Sequence, residues 1–449
     1  MRTRTTRRWI AAACAIGLGV STSASATTPP AGSAAAAAPA SGPGVFGDLG
    51  TVCGPGDAKG STDQGVSDTE IVVGTAADPG NTIVPGLGQE HFDAADAFVN
   101  WCNEAGGILG RKLKLNKHDT KLTDPGAAIV EACQTDFMLV GNGVALDSAT
   151  VEPRTGCGLP QIAAYTVSEE AGRAKDSIES ITNNDRTSHL ANIIRTLQQK
   201  DPEAVKTIAL WNNSLPSVIP TGNRTKKATE NLGLSVGVYE EIPQGVDNWR
   251  PYVEKLKEQN VQVLIQYIQA TPLVAAMKAM NDVGYFPKYI IGEGNFYDAT
   301  LIKEGGDLLT KTTWLINLMM WPFEDAANNP ATQQFLDILK QYGNGAEAKS
   351  LSVNSFSAWL LFAKAAAACG SELTRACVMF NGSQTKEWSG GGLHVTVQPG
   401  PTTSKNSDCY SVLTATPQGF VLAKDWVDAN DKIYNCDPKN SEQVAGLDS

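Results

Sequence analysis

The sequence has few of the residues that enzymes use for acid–base chemistry. Its 449 residues include only four histidines, His91, His118, His189 and His394, which are far apart in the chain, and charged residues make up 18%. It contains no GxSxG, Walker lysine loop or HExxH motif, and no GxGxxG follows a predicted strand. These absences predict a protein that is not an enzyme, with no catalytic residues and no cofactor.

Cysteine pairs with the spacing of a metal site are also missing. Nine cysteines are present, but none forms a CxxC pair, and the histidines do not cluster near them. We therefore predict no metal site. Beyond the amino terminus, no stretch approaches the roughly 18 apolar residues that a membrane-spanning helix needs.

Residues 1–26 are typical of an export signal peptide. Four arginines precede an apolar core at 9–20, and the segment contains no acidic residue. Residues 24–26 (ASA) fit a cleavage site. Export would place the chain in the cell envelope or a periplasm-like space outside the cytoplasmic membrane. Cys14 follows three alanines, so lipidation and membrane association stay open, as does the choice between general and twin-arginine export.

Residues 27–65 are interpreted as a low-complexity linker and tail. Up to about residue 50 they consist mostly of Ala, Pro, Ser and Gly, a composition that cannot form a core. Cys53 indicates that the last part is tied to the folded body.

The chain is acidic, which limits its partners. Its formal net charge is −11, and the part after residue 26 carries −15 because the signal holds four arginines. An acidic surface argues against nucleic acid or anionic lipid as a partner. A small ligand remains possible, because its site is local.

The segment from residue 71 to residue 116 has the pattern of one βαβ unit. An apolar run at 71–76 predicts a strand, a Gly- and Pro-rich loop follows at 78–88, and a helix ends at the paired glycines 106–107. Alternation at 112–116 predicts a second strand. Such a unit implies a parallel sheet with its ligand at the carboxyl end of the strands.

The alternation of strands and helices continues, and two successive runs of four or five strands predict two lobes. Further predicted strands lie at 137–140, 161–164, 207–211, 236–239, 261–265, 313–318, 394–397, 410–414 and 420–423. Predicted helices include one that carries Leu190 to Leu197, and others at 249–256, 271–284, 331–342, 353–368 and 372–380.

Residues 69–74 (TEIVVG) and 104–113 (EAGGILGRKL) resemble the branched-chain amino-acid (Leu/Ile/Val) binding proteins, and segments 247–267 and 277–294 extend the resemblance. These are solute receptors of bacterial ABC importers with the type I periplasmic-binding-protein fold. The resemblance implies an α/β protein of two Rossmann-like lobes with parallel central sheets and a three-segment hinge. It also implies a small-molecule ligand, an ABC permease as partner, and a monomer.

The resemblance implies the following boundaries: lobe 1 at 66–184 and 319–398, lobe 2 at 185–318 and 399–437, and a C-terminal tail at 438–449. The lobes would close by hinge motion near Asn184, Met320 and Gln398.

An amino acid needs N–H groups and hydroxyls for its carboxylate and an acid for its ammonium. The loop that contains Ala145, Leu146 and Ser148 offers N–H groups, although Ala145 stands where the family usually has a serine. Thr166 matches the family's ligand-binding threonine, beside Tyr165.

Four further positions complete the predicted site. Tyr267 and Gln269 follow a second-lobe strand, where the family places an aromatic residue, and Leu87 takes a place that is often aromatic. Glu293 matches the family's ammonium-binding glutamate, and we expect it to face water without ligand. Amides, ureas and aromatic acids remain alternative ligands, and a sensory receptor without a permease remains an alternative function.

Eight cysteines remain after cleavage, an even number that predicts disulfides in an exported chain. Right-handed crossovers place Cys133 and Cys157 on the same sheet face, which leaves Cys102 for Cys53. Two more disulfides would close a helix–helix turn and link the final strands. The inferred pairs are Cys53–Cys102, Cys133–Cys157, Cys369–Cys377 and Cys409–Cys436.

Overall fold

Two large sheets organise the chain in the computed structural model, which describes residues 42–181, 187–400 and 406–444. The first sheet has the order β2-β1-β3-β4-β5, and all of its pairs are parallel. We call the part built on it the first lobe. Its strands are β1 (Glu70–Ala77), β2 (Lys112–Asp119), β3 (Leu139–Val140), β4 (Gln161–Ala163) and β5 (Ser177–Glu179).

The later strands form the second lobe. They are β6 (Ser188–Leu190), β7 (Ile208–Asn213), β8 (Val236–Ile242), β9 (Val263–Gln266), β10 (Tyr289–Gly292), β11 (Thr313–Leu318), β12 (Ser411–Thr416), β13 (Gly419–Leu422) and β14 (Ser441–Gln443). Seven of them form a sheet of order β13-β12-β11-β10-β9-β7-β8. Its centre is parallel, whereas β12 and β13 add an antiparallel edge.

Helices cover the faces of both sheets. They are α1 (Gln89–Glu104), α2 (Pro125–Thr135), α3 (Ser148–Gly156), α4 (Glu169–Arg173), α5 (Asn192–Lys200), α6 (Ile219–Asn231), α7 (Arg250–Glu258), α8 (Ala270–Val283), α9 (Ala299–Gly305), α10 (Pro330–Tyr342), α11 (Ser350–Cys369) and α12 (Arg375–Ser383). Local chemistry sets their ends. Asp124 accepts a hydrogen bond from the Ala127 N–H ahead of α2, and positive φ angles at Gly106 and Gly107 turn the chain after α1. Among the described helices, none combines the length and apolar character needed to cross a membrane.

The core of the first lobe is centred on α11. Phe98 on α1 stacks on Trp359 at 5.5 Å between ring centroids, and Phe46 packs on Phe356 at 5.3 Å. Phe46 is fully buried although it lies in the predicted tail. The tail prediction therefore needs a correction from about residue 44 onward, because aromatic burial and the Cys53 disulfide fix this segment on the lobe.

Four disulfides join all eight described cysteines, in the same pairs that were inferred from the sequence. They are Cys53–Cys102, Cys133–Cys157, Cys369–Cys377 and Cys409–Cys436. The first ties the amino-terminal segment to α1. The last joins the chain ahead of β12 to the segment that leads to β14.

Three local predictions were wrong. Leu190 lies in β6 rather than in a helix, because residues 188–190 pair with β14 from the far end of the chain. That same pairing places β14 on the second lobe instead of in a tail. His394 and Val397 form only single-residue bridges, to Met320 and Trp388, rather than one strand.

The predicted fold class is confirmed, but the second sheet is larger than the four or five strands expected. The chain passes between the lobes three times. The first passage, with Asn184, falls outside the described residues. The second passage follows β11 at Met320, and the third begins after Val397 and includes Gln398.

Candidate functional site

A cavity of about 720 Å³ lies between the lobes, where the carboxyl ends of both parallel sheets meet. Its lining from the first lobe follows β1, β3 and β4, and its lining from the second lobe follows β7, β9, β10 and β11. Ligands of open α/β sheets bind at such strand ends. The size falls within the usual range of small-molecule sites, roughly 300–1,000 Å³.

The structure brings most of the predicted binding residues to this cavity. Those that line it are Leu87, Ala145, Tyr165, Thr166, Tyr267, Gln269 and Glu293. Leu146 and Ser148 do not line it. Ser148 is exposed at the start of α3, whereas the neighbouring Asp147 is buried and accepts the N–H groups of Val167 and Ser168 at 2.6 and 2.9 Å.

Internal carboxylates occupy the N–H donors that were predicted to bind a ligand carboxylate. Asp78 is buried, and its Oδ2 accepts the Ala145 N–H at 2.8 Å. Its Oδ1 accepts the Leu122 N–H at 3.0 Å and the Thr120 hydroxyl. Burial raises the pKa of Asp78, and these hydrogen bonds lower it. Asp78, directly after β1, therefore takes the N–H of the loop after β3 that the family resemblance implied for a ligand carboxylate.

The hydrogen-bond donors of Thr166 are also used within the protein. Its N–H donates to Glu179 Oε1 at 2.7 Å, and its hydroxyl donates to the same oxygen. A hydroxyl has only one proton to donate, and here Glu179 accepts it. Thr166 is thus a poor partner for a carboxylate.

Glu293 is the most distinctive group in the cavity. Its side chain is half-buried, and Asn317 Nδ2 donates to Oε2 at 3.2 Å. Burial raises the pKa of Glu293 to about 7, and the Asn317 hydrogen bond only partly opposes this rise. No cationic side chain among the described residues forms an ion pair with it. The expectation that it faces water without ligand needs correction, since its side chain directly after β10 is only partly exposed.

A polar cluster on the second lobe was not predicted from the sequence. Arg224 on α6 is buried, and its Nη2 donates to Thr221 Oγ1 at 3.1 Å. Thr225 contacts the Tyr267 hydroxyl at 2.7 Å and His189 Nε2 at 3.0 Å. Burial lowers the pKa of His189 to about 3, and Arg224 adds to this effect, so the imidazole is neutral. Helix α6 lacks a clear apolar period, so the sequence alone does not indicate that Arg224 lines the cavity.

Direct contacts join the lobes around the cavity. Ser217 Oγ donates to the Ala145 carbonyl at 2.6 Å, and Lys349 Nζ lies 3.0 Å from Asp298 Oδ2. These contacts connect the second lobe to the first and narrow the cleft. Within the described ranges, no three His, Cys, Asp or Glu side chains are arranged to hold a metal ion.

The other three histidines are buried and make contacts inside the protein. His394 Nδ1 donates to the Val395 carbonyl at 2.7 Å, so Nε2 accepts the Ser357 hydroxyl at 2.8 Å. His118 Nε2 contacts Asp136 at 2.7 Å, and His91 stacks on Tyr165. Of the four, His189 alone lines the cavity.

Two α/β lobes with a cavity between their strand ends define a two-lobed ligand-binding protein. The chain belongs to the periplasmic binding protein family, whose model matches residues 83–419. This is a family of non-enzymatic receptors, so the prediction that the chain is not an enzyme and the resemblance to the family are both confirmed.

Solved structures with the same fold bind different ligands. A fatty acid ABC transporter substrate-binding protein from Thermomonospora curvata is 18% identical, with 86% of this chain and 97% of that chain covered and a TM-score of 0.69. A leucine binding protein from Thermotoga maritima is 14% identical, with coverages of 78% and 97% and a TM-score of 0.65. A solute binding protein from R. palustris in complex with 4-hydroxybenzoate is 16% identical, with coverages of 79% and 95% and a TM-score of 0.63.

At these identities the similarity shows the fold alone. A comparison with curated proteins gives no match.

Proposed function

We propose that this chain is the extracytoplasmic solute receptor of an ABC importer and that it captures a branched-chain or related amino acid between its lobes. The observation that carries this proposal is Glu293, a half-buried carboxylate that faces the cavity and has a pKa raised to about 7. Such a group is stabilised by an incoming ammonium, which would lower its pKa again. Export past the cytoplasmic membrane and recognition by a permease belong to the same proposal.

Capture would involve closure of the two lobes. The Ser217–Ala145 hydrogen bond and the Lys349–Asp298 ion pair can form only when the lobes approach each other. The passages near Met320 and Gln398, with the one near Asn184, would act as the hinge. The closed receptor would then act as a monomer that presents one joined surface to the permease.

A second candidate ligand class is an amide or a urea. Asp78 accepts the Ala145 N–H, so the first lobe lacks the carboxylate seat that the family resemblance implied. An amide has N–H donors of its own, and these can pair with acidic side chains that line the cavity, such as Asp78 and Glu293. This observation favours ligands with an uncharged polar end.

A thermal-shift screen separates these candidates. The panel should contain the twenty amino acids, small amides, ureas and aromatic acids. Each compound is tested against the protein with its native disulfides intact. A ligand at 100 times its dissociation constant adds about 2.7 kcal/mol to the free energy of unfolding, which gives a clear shift. We expect shifts with branched-chain amino acids. Shifts confined to compounds without an amino group would contradict the proposal.

A further inference from the structure

We propose that the first turn of α11 is the seat of the ligand's carboxylate, with the side chains of Ser350 and Asn354 as donors beside the helix N–H groups. The inference rests on the proposed function and adds the half of the amino acid that Glu293 does not bind. Glu293 belongs to the second lobe and α11 to the first, so a bound amino acid would bridge the two lobes.

The loops that follow the strands of the first lobe do not supply this seat. Asp78 accepts the Ala145 N–H, and Glu179 accepts both the N–H and the hydroxyl of Thr166. A ligand carboxylate there would displace an internal hydrogen bond and approach a second negative charge. The donors for a carboxylate must therefore come from another part of the cavity lining.

The start of α11 lines the cavity and offers such donors. Lys349 precedes the helix, and Ser350, Leu351 and Asn354 lie in its first turns, all of them in the lining. The first N–H groups of a helix have no carbonyl partner in a preceding turn. Those of Ser350 and Leu351 make no hydrogen bond to another described residue. Because α11 is 20 residues long, its dipole also favours an anion at this end.

Two buried side chains of this turn lack partners inside the described protein. Ser350 is 6% exposed and Asn354 is 7% exposed, and a spacing of four residues places them on one face of the helix. The backbone carbonyl of Asn354 accepts the Ser180 hydroxyl at 2.9 Å, but neither the Asn354 amide nor the Ser350 hydroxyl has a partner among the described residues. Buried polar side chains nearly always have one. We infer that the ligand provides it.

The acids nearest to this turn do not use its donors. Asp298 Oδ1 accepts the Thr300 N–H at 2.8 Å, and its Oδ2 lies 3.0 Å from Lys349 Nζ. Lys349 also acts on Glu90, where its charge opposes the rise in pKa that burial causes. A carboxylate bound by the helix N–H groups, Ser350 and Asn354 leaves the contact between Lys349 and Asp298 in place.

The position of Ser350 relative to Glu293 matches an amino acid. The ammonium and the carboxylate of an α-amino acid are attached to one carbon atom, so their two seats must be adjacent. A Cβ placed on Gly294, the residue after Glu293, would lie 3.9 Å from Ser350 Cβ. The start of α11 therefore faces the strand end that carries Glu293 across the cleft.

Isothermal titration calorimetry with three probes tests the inference. L-leucine carries both charges, L-leucinamide lacks the carboxylate, and 4-methylpentanoate lacks the ammonium. The titrations use the unmutated chain, Asn354→Asp, Ser350→Ala and the control Asn100→Asp, which makes the same change of charge at an exposed position of α1. Thermal melting without ligand verifies that each variant is folded, and Ser350→Ala serves if Asn354→Asp does not fold.

Asn354→Asp keeps the shape of the side chain but places a negative charge in the seat. We expect it to weaken L-leucine binding by about thirtyfold or more. L-leucinamide binding should stay within about threefold of the parent value or become tighter, because the new carboxylate can accept an amide N–H. Ser350→Ala removes one hydrogen bond to a charged group and should weaken L-leucine binding by about tenfold. Asn100→Asp should change neither affinity.

A loss of affinity for L-leucine but not for L-leucinamide would support the seat. Unchanged L-leucine affinity in Asn354→Asp, or in Ser350→Ala where that variant replaces it, would overturn the inference and leave the proposed function intact. Equal losses for L-leucine and L-leucinamide would do the same, because they indicate a packing effect. Binding of 4-methylpentanoate alone, weakened by Asn354→Asp, would support the seat but contradict the amino-acid function. Binding of L-leucinamide alone, or of none of the probes, would overturn both.

Discussion

Replacement of Glu293 by glutamine should stabilise the unliganded protein and weaken ligand binding at the same time. The structure places this carboxyl half-buried with one neutral hydrogen-bond donor, Asn317, and raises its pKa from 4.5 to about 7. Glutamine keeps the shape and can still accept from Asn317. The variant therefore removes the charge and little else.

The size and pH range of the effect follow from the raised pKa. Below pH 4.5 the carboxyl is protonated in both the folded and the unfolded chain, so the glutamine variant should be about as stable as the parent. Between pH 4.5 and 7 the unfolded chain ionises while the folded chain keeps the proton, so the free energy of unfolding falls by about 3 kcal/mol and stays lower above pH 7. Glu293→Gln should regain up to about 3 kcal/mol at pH 8.5.

Urea unfolding at pH 4.5 and pH 8.5, followed by tryptophan fluorescence without ligand, measures this difference. Glu258→Gln on α7 is the matched control, because its side chain is exposed and surface substitutions usually change stability by less than about 0.5 kcal/mol. In calorimetry, Glu293→Gln should lose about thirtyfold in amino-acid affinity. A pH-independent stability difference within about 0.5 kcal/mol would refute the burial argument, since that is typical of surface changes.

Two further predictions concern the disulfides and the closure of the lobes. Replacement of both Cys409 and Cys436 by serine should lower the free energy of unfolding by about 3.5 kcal/mol, given their sequence separation of 27, and non-reducing peptide mapping should recover the bond in the parent. An unchanged urea midpoint would contradict this. Lys349→Met removes the ion pair to Asp298 between the lobes, so ligand affinity should fall by about two- to fivefold at low salt and less at high salt. Small-angle scattering with saturating ligand should then show less compaction than in the parent, and equal compaction would refute a role in closure.

The sequence by itself determined the order of strands and helices in most of the chain. Short runs of β-branched residues such as that of β1 favour strands because their side chains pack well on a pleated sheet. Paired glycines end α1 because few other residues adopt the positive φ angles of the turn. The order of elements also indicates where the carboxyl end of each strand lies in the sequence. Parallel strands place their carboxyl ends at one edge, but it was the family resemblance that assigned Glu293 and Tyr165 to the predicted site. Both line the cavity.

Only the tertiary structure decided how the polar groups of the site are shared. Nothing in the local sequence indicates that Asp78 takes the Ala145 N–H, 67 residues away, or that Arg224 reaches the cavity from α6. The pairing of β6 with β14 is equally hidden, because its partners lie at opposite ends of the second lobe. Periodicity reports which face of an element is buried, whereas hydrogen-bond partners and pKa values depend on residues that folding brings together from distant segments.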